Sequence, residues 1–189
     1  MNKHQICTSM YSSMIEYFEK GELSCTYRNS KDIAFAISEV YDKVYMSNPF
    51  VHSLRAERFP GAQILGKQDR TLYLVFTQEE KKVLIGQGYG TGEESSVMTF
   101  HEAQGHTSEE IIVIQTKSKR LKIHNNVSHM VVAVSRHTKN CAYYSDDKDD
   151  GIGRFVGRAL DTTTKEILEY TLKMAISHRD TIVIEDMLV

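Results

Sequence analysis

Val97–Thr107 reads VMTFHEAQGHT, and Val132–Tyr144 reads VAVSRHTKNCAYY. In each, a short apolar run meets a tight cluster of hydrogen-bonding residues. The first cluster is His101, Glu102, Gln104, Gly105 and Thr107; the second is Ser135, Arg136, His137 and Thr138. Buried strands deliver polar loops to one edge of a sheet in this way. The expectation is that both loops meet, at a nucleotide phosphate or a nucleic-acid backbone.

Working outward, Leu72–Phe76 (LYLVF) and Ile111–Gln115 (IIVIQ) are continuous apolar runs suited to strands buried on both faces. Thr77 and Glu80 have capping-box spacing and predict a helix through Val83 and Leu84 to about Gly86. A glycine-rich turn, Gly86–Ser96, follows. Asn125–Ser128 opens a helix into Val131–Arg136, and a strand runs through Cys141–Tyr144.

Upstream, Thr8 caps a helix with Met10, Met14, Ile15 and Phe18 at helical spacing, ended by Gly21. Leu23–Tyr27 is strand-like and turns at Arg28–Ser30. Ser30 caps a second helix with Ile33, Ala36, Ile37, Val40 and Tyr41 on one face. Ser47–Arg70 holds both prolines and reads as loop or weak edge strands.

Downstream, Asp146–Gly153 reads as an acidic loop. Thr163 and Glu166 form a second capping box, opening a helix with Ile167, Leu168, Leu172, Ala175 and Ile176 inward. Thr181–Val189 is expected to add a short edge strand. Short apolar strands alternating with capped helices predict an α/β fold built on a parallel sheet.

Composition narrows the class. At 189 residues the chain has the size of one domain with room for a substantial core. A net charge of -2 gives no bulk attraction to nucleic acid or an anionic membrane. The longest basic cluster, Lys117–Lys122, reads first as a solvated loop. Cys7, Cys25 and Cys141 form no CxxC pair, which points away from a disulfide framework and a zinc site. No apolar run approaches the roughly 20 residues of a membrane span, and a cytoplasmic protein is expected.

Three look-alikes fail on chemistry. Gly61–Gln68 matches GxxxxGK but has Gln68 where a phosphate loop needs Ser or Thr, and a strand follows where a helix should. His101 and His106 are five residues apart, about 140° around a helix, against the shared face that zinc requires. Asp146–Gly151 starts like a calcium loop, yet Lys148 and Gly157 occupy ligand positions.

Met98–Thr107, MTFHEAQGHT, resembles motif V (TxHExQGxT) of the superfamily 1 helicases of alphavirus-like positive-strand RNA virus replicases. Val134–Tyr144, VSRHTKNCAYY, resembles their motif VI. Thr26-Tyr27-Arg28, followed by a helix and Tyr45-Met46-Ser47, is similar to motif IV, and Leu74–Gln78 with Gly88-Tyr89 is similar to the approach to motif V in tobamovirus-like enzymes. The resemblance covers about residues 23–145. The phosphate loop, the DExx-type metal motif and the GDxxQ motif of the family's first lobe do not occur in the sequence.

The resemblance therefore implies a RecA-like parallel sheet flanked by helices, the second helicase lobe only. Residues 1–22 would be an N-terminal helix and stub of the interlobe connection, 23–150 the lobe, and 151–189 a helical extension packed on it. Arg136 would be the arginine finger and Arg28 a second phosphate-sensing arginine. Tyr27 would pack on adenine, Gln104 and Gly105 would line the nucleotide cleft, and Glu102 would contact ribose or couple the two sites. Thr99, His101 and Thr107 would lie nearer the RNA backbone, with Lys119 and Arg120 as further RNA contacts. His106 departs from the glutamate common at its position in tobamovirus-like members.

ATP and Mg2+ would be engaged only with a first RecA-like lobe, and RNA and the rest of a replicase polyprotein would be the partners. Two other readings stay open. One is a stand-alone captured helicase fragment acting as an adaptor for a protein partner; the other is a sequence-independent RNA binder without enzyme activity. Outside the resemblance, Arg136 reads as a surface arginine, and Tyr27, Tyr143 and Tyr144 as core aromatics.

Overall fold

In the computed structural model, which describes residues 25–58, 68–116, 122–146 and 149–188, the apolar run at Leu72 becomes β4 (Thr71–Val75), with all five residues buried. It lies between β5 (Ser96–Thr99) and β6 (Ser108–Ile114) in a five-stranded sheet of order β3-β7-β6-β4-β5. Here β3 is Leu54–Glu57 and β7 is His137–Tyr144. Every pairing in the sheet is parallel. A separate short parallel pair joins β1 (Cys25–Thr26) to β2 (Tyr45–Met46).

The period of two along each strand divides the core. Leu72, Leu74, Phe76, Ile111, Val113, Cys141 and Tyr143 face one side. They pack against α1 (Lys31–Ile37), α3 (Val127–Ser135) and α4 (Gly151–Leu160). Tyr73, Val75, Ile112 and Ile114 face the other side, with Leu84 of α2 (Gln78–Gly86), Tyr89 and Val97. Because both faces are covered, these strands read as unbroken apolar runs.

The caps fall where the sequence puts them. Thr77 and Glu80 complete a capping box at α2, and Thr163 and Glu166 another at α5 (Thr164–His178). Asn126 caps α3 through the amide of His129. Ser30 is the N-cap residue of α1, but its side chain makes no cap bond; the hydroxyl turns to Asp32 and Ser53 instead.

Several expectations are corrected. The apolar run before Arg136 lies in the helix expected from Asn125–Ser128 and not in a strand like the run before His101, so the second polar cluster lies at a helix end and a strand start. Helix α1 stops at Ile37, leaving Val40 and Tyr41 exposed. The stretch expected as a loop to Gly153 is helical from Gly151, capped by Asp150, whose carboxylate accepts from Gly153 N at 2.7 Å. The tail is a helix, α6 (Thr181–Leu188), rather than an edge strand. Its capping residue Asp180 accepts from Val183 N, and Val183 buries against Tyr45 and Ala175. In α5, Ile167 and Ala175 are buried, whereas Ile176 is exposed.

The expected helix after Thr8 and the GxxxxGK match, apart from Gln68, lie outside the described residues. Among the described residues no helix is long and apolar enough to cross a membrane.

Candidate functional site

The turn Tyr27–Asn29 leaves β1 and runs against the junction between α3 and β7. Arg28 Nη2 donates to the carbonyl oxygen of Ser135 at 2.8 Å, and Arg28 Nη1 to Thr107 Oγ1 at 3.4 Å. Ser135 ends α3, so its carbonyl is one of the helix's unsatisfied acceptors and sits at the negative end of the helix dipole. That local potential suits a guanidinium. The amide of Ser108 donates to the carbonyl of Arg136 at 3.1 Å, fastening the start of β6 to the same turn. Thus both polar loops converge, through Thr107 and Ser108 on one side and Ser135 to His137 on the other.

Two cations are neighbours here, because Arg28 is hydrogen-bonded to the carbonyl of the residue before Arg136. Burial and the charge of Arg136 lower the pKa of Arg28 below the usual guanidinium range. Among the described residues, neither arginine is ion-paired with a carboxylate. Arg136 Nε is buried and unpartnered. The cluster offers donors and positive charge, a combination that favours phosphate oxygens.

Beneath the turn lies a buried polar network. Asp32, 1% exposed, accepts from Ser53 N at 2.7 Å and Leu54 N at 3.0 Å. Ser53 Oγ lies 2.8 Å from His137 Nε2. Burial lowers the pKa of His137 to about 4, so the ring is neutral at pH 7. A neutral, enclosed imidazole holding a serine is a positioning group rather than a base.

Glu102 has a different set of partners. Its Oε2 accepts from Lys81 Nζ at 2.8 Å and Thr99 N at 2.9 Å, and its Oε1 from Gln78 Nε2 at 3.0 Å. The Lys81 contact, then the Thr99 amide and Gln78, bring its pKa down to about 2. Thr99 is buried and its hydroxyl lies 3.2 Å from the same carboxylate. The motif V turn is thereby tied to α2.

Of the remaining expected residues, those described are accessible. Tyr27 is 72% exposed, while Tyr143 is buried and Tyr144 half-buried. Only the last two pack as core aromatics. His101, Gln104, Gly105 and Thr107 are exposed. Gly105 has a φ of 88°, and no atom lies within 4 Å of where a Cβ would stand. Lys119 and Arg120 lie outside the described residues. Asn29, Asp32, Ser53 and Lys81 were not singled out by the sequence, because each has a defining partner 21 to 108 residues away.

A groove of about 1080 Å³ lies elsewhere, among Lys31, Pro49, Leu168, Leu172, Val183 and Met187. It includes none of the residues of the arginine cluster. Among the described residues no group of three or more His, Cys, Asp or Glu is placed to hold a metal ion.

Residues 4–145 match the model of the viral superfamily 1 RNA helicase core domain. Replicase protein 1a of Grapevine leafroll-associated virus 3 (isolate United States/NY1) is 28% identical over 165 residues, covering 80% of this chain and 7% of the relative. The replicase large subunit of Tobacco rattle virus (strain SYM) is 30% identical over 149 residues, 74% of this chain and 8% of the relative. That of Turnip vein-clearing virus is 33% identical over 132 residues, 67% and 8% respectively. The chain thus spans less than a tenth of the length of these replicases. Among solved structures, an arterivirus nonstructural protein 10 (helicase) overlaps 71% of this chain and 27% of its own, with a TM-score of 0.48 and 17% identity.

Proposed function

Because the chain belongs to the viral superfamily 1 RNA helicase core domain family, we propose that it is the second RecA-like lobe of a replicase helicase and that Arg28 and Arg136 face the phosphates of a bound nucleotide. One observation carries this reading: Arg28 is hydrogen-bonded to the carbonyl of Ser135, the residue before Arg136, and no carboxylate neutralises either arginine among the described residues. Like charges left unpaired in a partly buried turn are costly, and a polyanion relieves that cost.

The donor set fits the phosphates of ATP and does not fit Mg2+, which needs oxygen ligands that the cluster does not present. Bound ATP would supply the scissile phosphoanhydride. Arg136 would stabilise charge on the γ-phosphate once the lobes close, a role worth about 10³–10⁵ in rate. Arg28, anchored on Ser135, would hold a neighbouring oxygen. Exposed Tyr27 presents a ring for a base to stack on. Gln104 and Gly105 offer side-chain and backbone donors.

Glu102 is occupied by Lys81, Gln78 and Thr99, which favours coupling over ribose contact. His101 and Thr107, with Lys119 and Arg120, would meet the RNA backbone. Thr99 would act there only through its amide turn, its hydroxyl being held by Glu102. Alone, the chain lacks the phosphate loop and the metal motif of a first lobe and would not turn over ATP.

The test is ATP hydrolysis by the purified chain and by the replicase helicase region that contains it. The chain alone should show no turnover, and Arg136→Ala in the longer protein should reduce turnover by at least 10³-fold. Multiple-turnover hydrolysis by residues 1–189, abolished by Arg136→Ala, would overturn the single-lobe reading.

A further inference from the structure

The side chain of Arg136 has no hydrogen bond among the described residues to fix it, so its place depends on the backbone from Ser135 to His137. One side chain holds that backbone on both flanks. Asn29 Nδ2 donates to the carbonyl of Ser135 at 3.1 Å and to that of His137 at 2.9 Å. An amide nitrogen carries two hydrogens at a fixed angle, so bridging two carbonyls uses both and sets their separation. The amide oxygen, in turn, lies 3.5 Å from Arg28 Nε. A flipped amide would set its oxygen against two carbonyl oxygens, which fixes the orientation.

We infer that Asn29 is a positioning residue that sets the spacing between the Arg28 and Arg136 guanidiniums, so that the pair bridges adjacent phosphates of one polyphosphate. This rests on the phosphate-facing role proposed above. Asn29 is 3% exposed and has no charge. It therefore braces two cations that repel each other without neutralising either, which an aspartate in its place would do. The support is continuous below it, because His137 is held by Ser53 and Ser53 by Asp32. Without the amide, repulsion moves Arg136 away from Arg28. Each arginine then still meets a single phosphate, but the two no longer meet one diphosphate together.

The experiment follows the arginine Nε–H signals of the 15N-labelled chain by NMR while inorganic pyrophosphate or orthophosphate is added at low ionic strength. Wild type should bind pyrophosphate with shifts at Arg28 and Arg136. Asn29→Ala should weaken pyrophosphate about tenfold and orthophosphate less than twofold, the scale expected for losing two buried hydrogen bonds. A general loss of structure would weaken both alike. Asn29→Ser, whose hydroxyl reaches one carbonyl at most, gives a second variant with the same split but a smaller loss.

Wild-type pyrophosphate affinity in a folded Asn29→Ala or Asn29→Ser chain overturns the positioning role alone. Parallel loss of both anions in both variants overturns it too. If wild type does not bind pyrophosphate, or binds it indifferently to Arg28→Ala and Arg136→Ala, the phosphate-facing reading falls, and this inference with it.

Discussion

Arg28 and Ser135, 107 positions apart, are joined by a guanidinium-to-carbonyl hydrogen bond of 2.8 Å. The bond holds a cation against the end of α3, next to Arg136, whose Nε has no partner among the described residues. Such an arrangement costs stability, and the proposed phosphate contact would offset that cost.

Replacing Arg136 with Leu should therefore leave the fold intact or raise its melting temperature. The change removes an unpaired, partly buried charge and its repulsion of Arg28. The same substitution should abolish pyrophosphate binding. A thermal melt alongside an anion titration checks both, and a melting temperature lower by more than about 5 °C would contradict the first.

Glu102 predicts an acid limb of stability. Its folded pKa of about 2 lies below the ordinary 4.5, so its contribution is fully present above about pH 4.5 and is lost as pH falls toward 2. Melting temperature measured from pH 6 to 2.5 should drop through that window. Glu102→Gln should be less stable than wild type at pH 6 and should flatten the drop, and Lys81→Met should shift it toward higher pH.

His137 acts in a different window. Its folded pKa, about 4, lies below the ordinary 6.5, so the unfolded chain binds the proton more tightly between those values. Stability should be full above pH 6.5 and fall as pH drops to 4, by about 3 kcal/mol at most. His137→Gln, which keeps a group able to reach Ser53, should remove most of that slope. An unchanged slope in urea titrations at pH 7, 5.5 and 4.5 would assign the effect to another group.

Two glycines with positive φ separate a backbone role from a packing role. At Gly90, φ 70°, a Cβ would stand 2.9 Å from the amide nitrogen of Val97 in β5. At Gly105, φ 88°, it would meet nothing within 4 Å. Gly105→Ala should cost about 1 kcal/mol from the left-handed backbone alone. Gly90→Ala should cost more, about 2–4 kcal/mol, since the backbone of β5 must shift. Equal unfolding free energies for the two variants would refute the distinction.

What could be read from residues alone was what local chemistry dictates. Leu72–Phe76 announced a strand covered on both faces, and the Thr77 and Thr163 capping boxes marked two helix starts. Helix α4 was hidden by Gly151, Gly153 and Gly157, which weaken helical propensity by about 1 kcal/mol each. Packing demands the first of them, because a Cβ on Gly151 would collide with the Met130 sulfur. Thr181–Ile184 looks like a strand because it is β-branched, yet Asp180 caps it as a helix. Arg28, Thr107 and Arg136 were legible through the motifs that contain them. Asn29, Asp32 and Ser53 were not, since each acquires its role from residues brought near only by folding.

The position of β3 at the sheet edge has a consequence for synthesis. Among the described residues its only partner in the sheet is β7, with Leu54 opposite Cys141 and Glu57 opposite Tyr144. As the chain leaves a ribosome, β3 emerges first and has no place to dock until more than 80 further residues have followed. Arg28 and Asn29 likewise wait for Ser135 and His137. The arginine pair is therefore assembled late, once the turn from α3 into β7 has emerged. Such long-range parallel pairing is slow to form. A chain stalled before β7 would present two incomplete halves of the site.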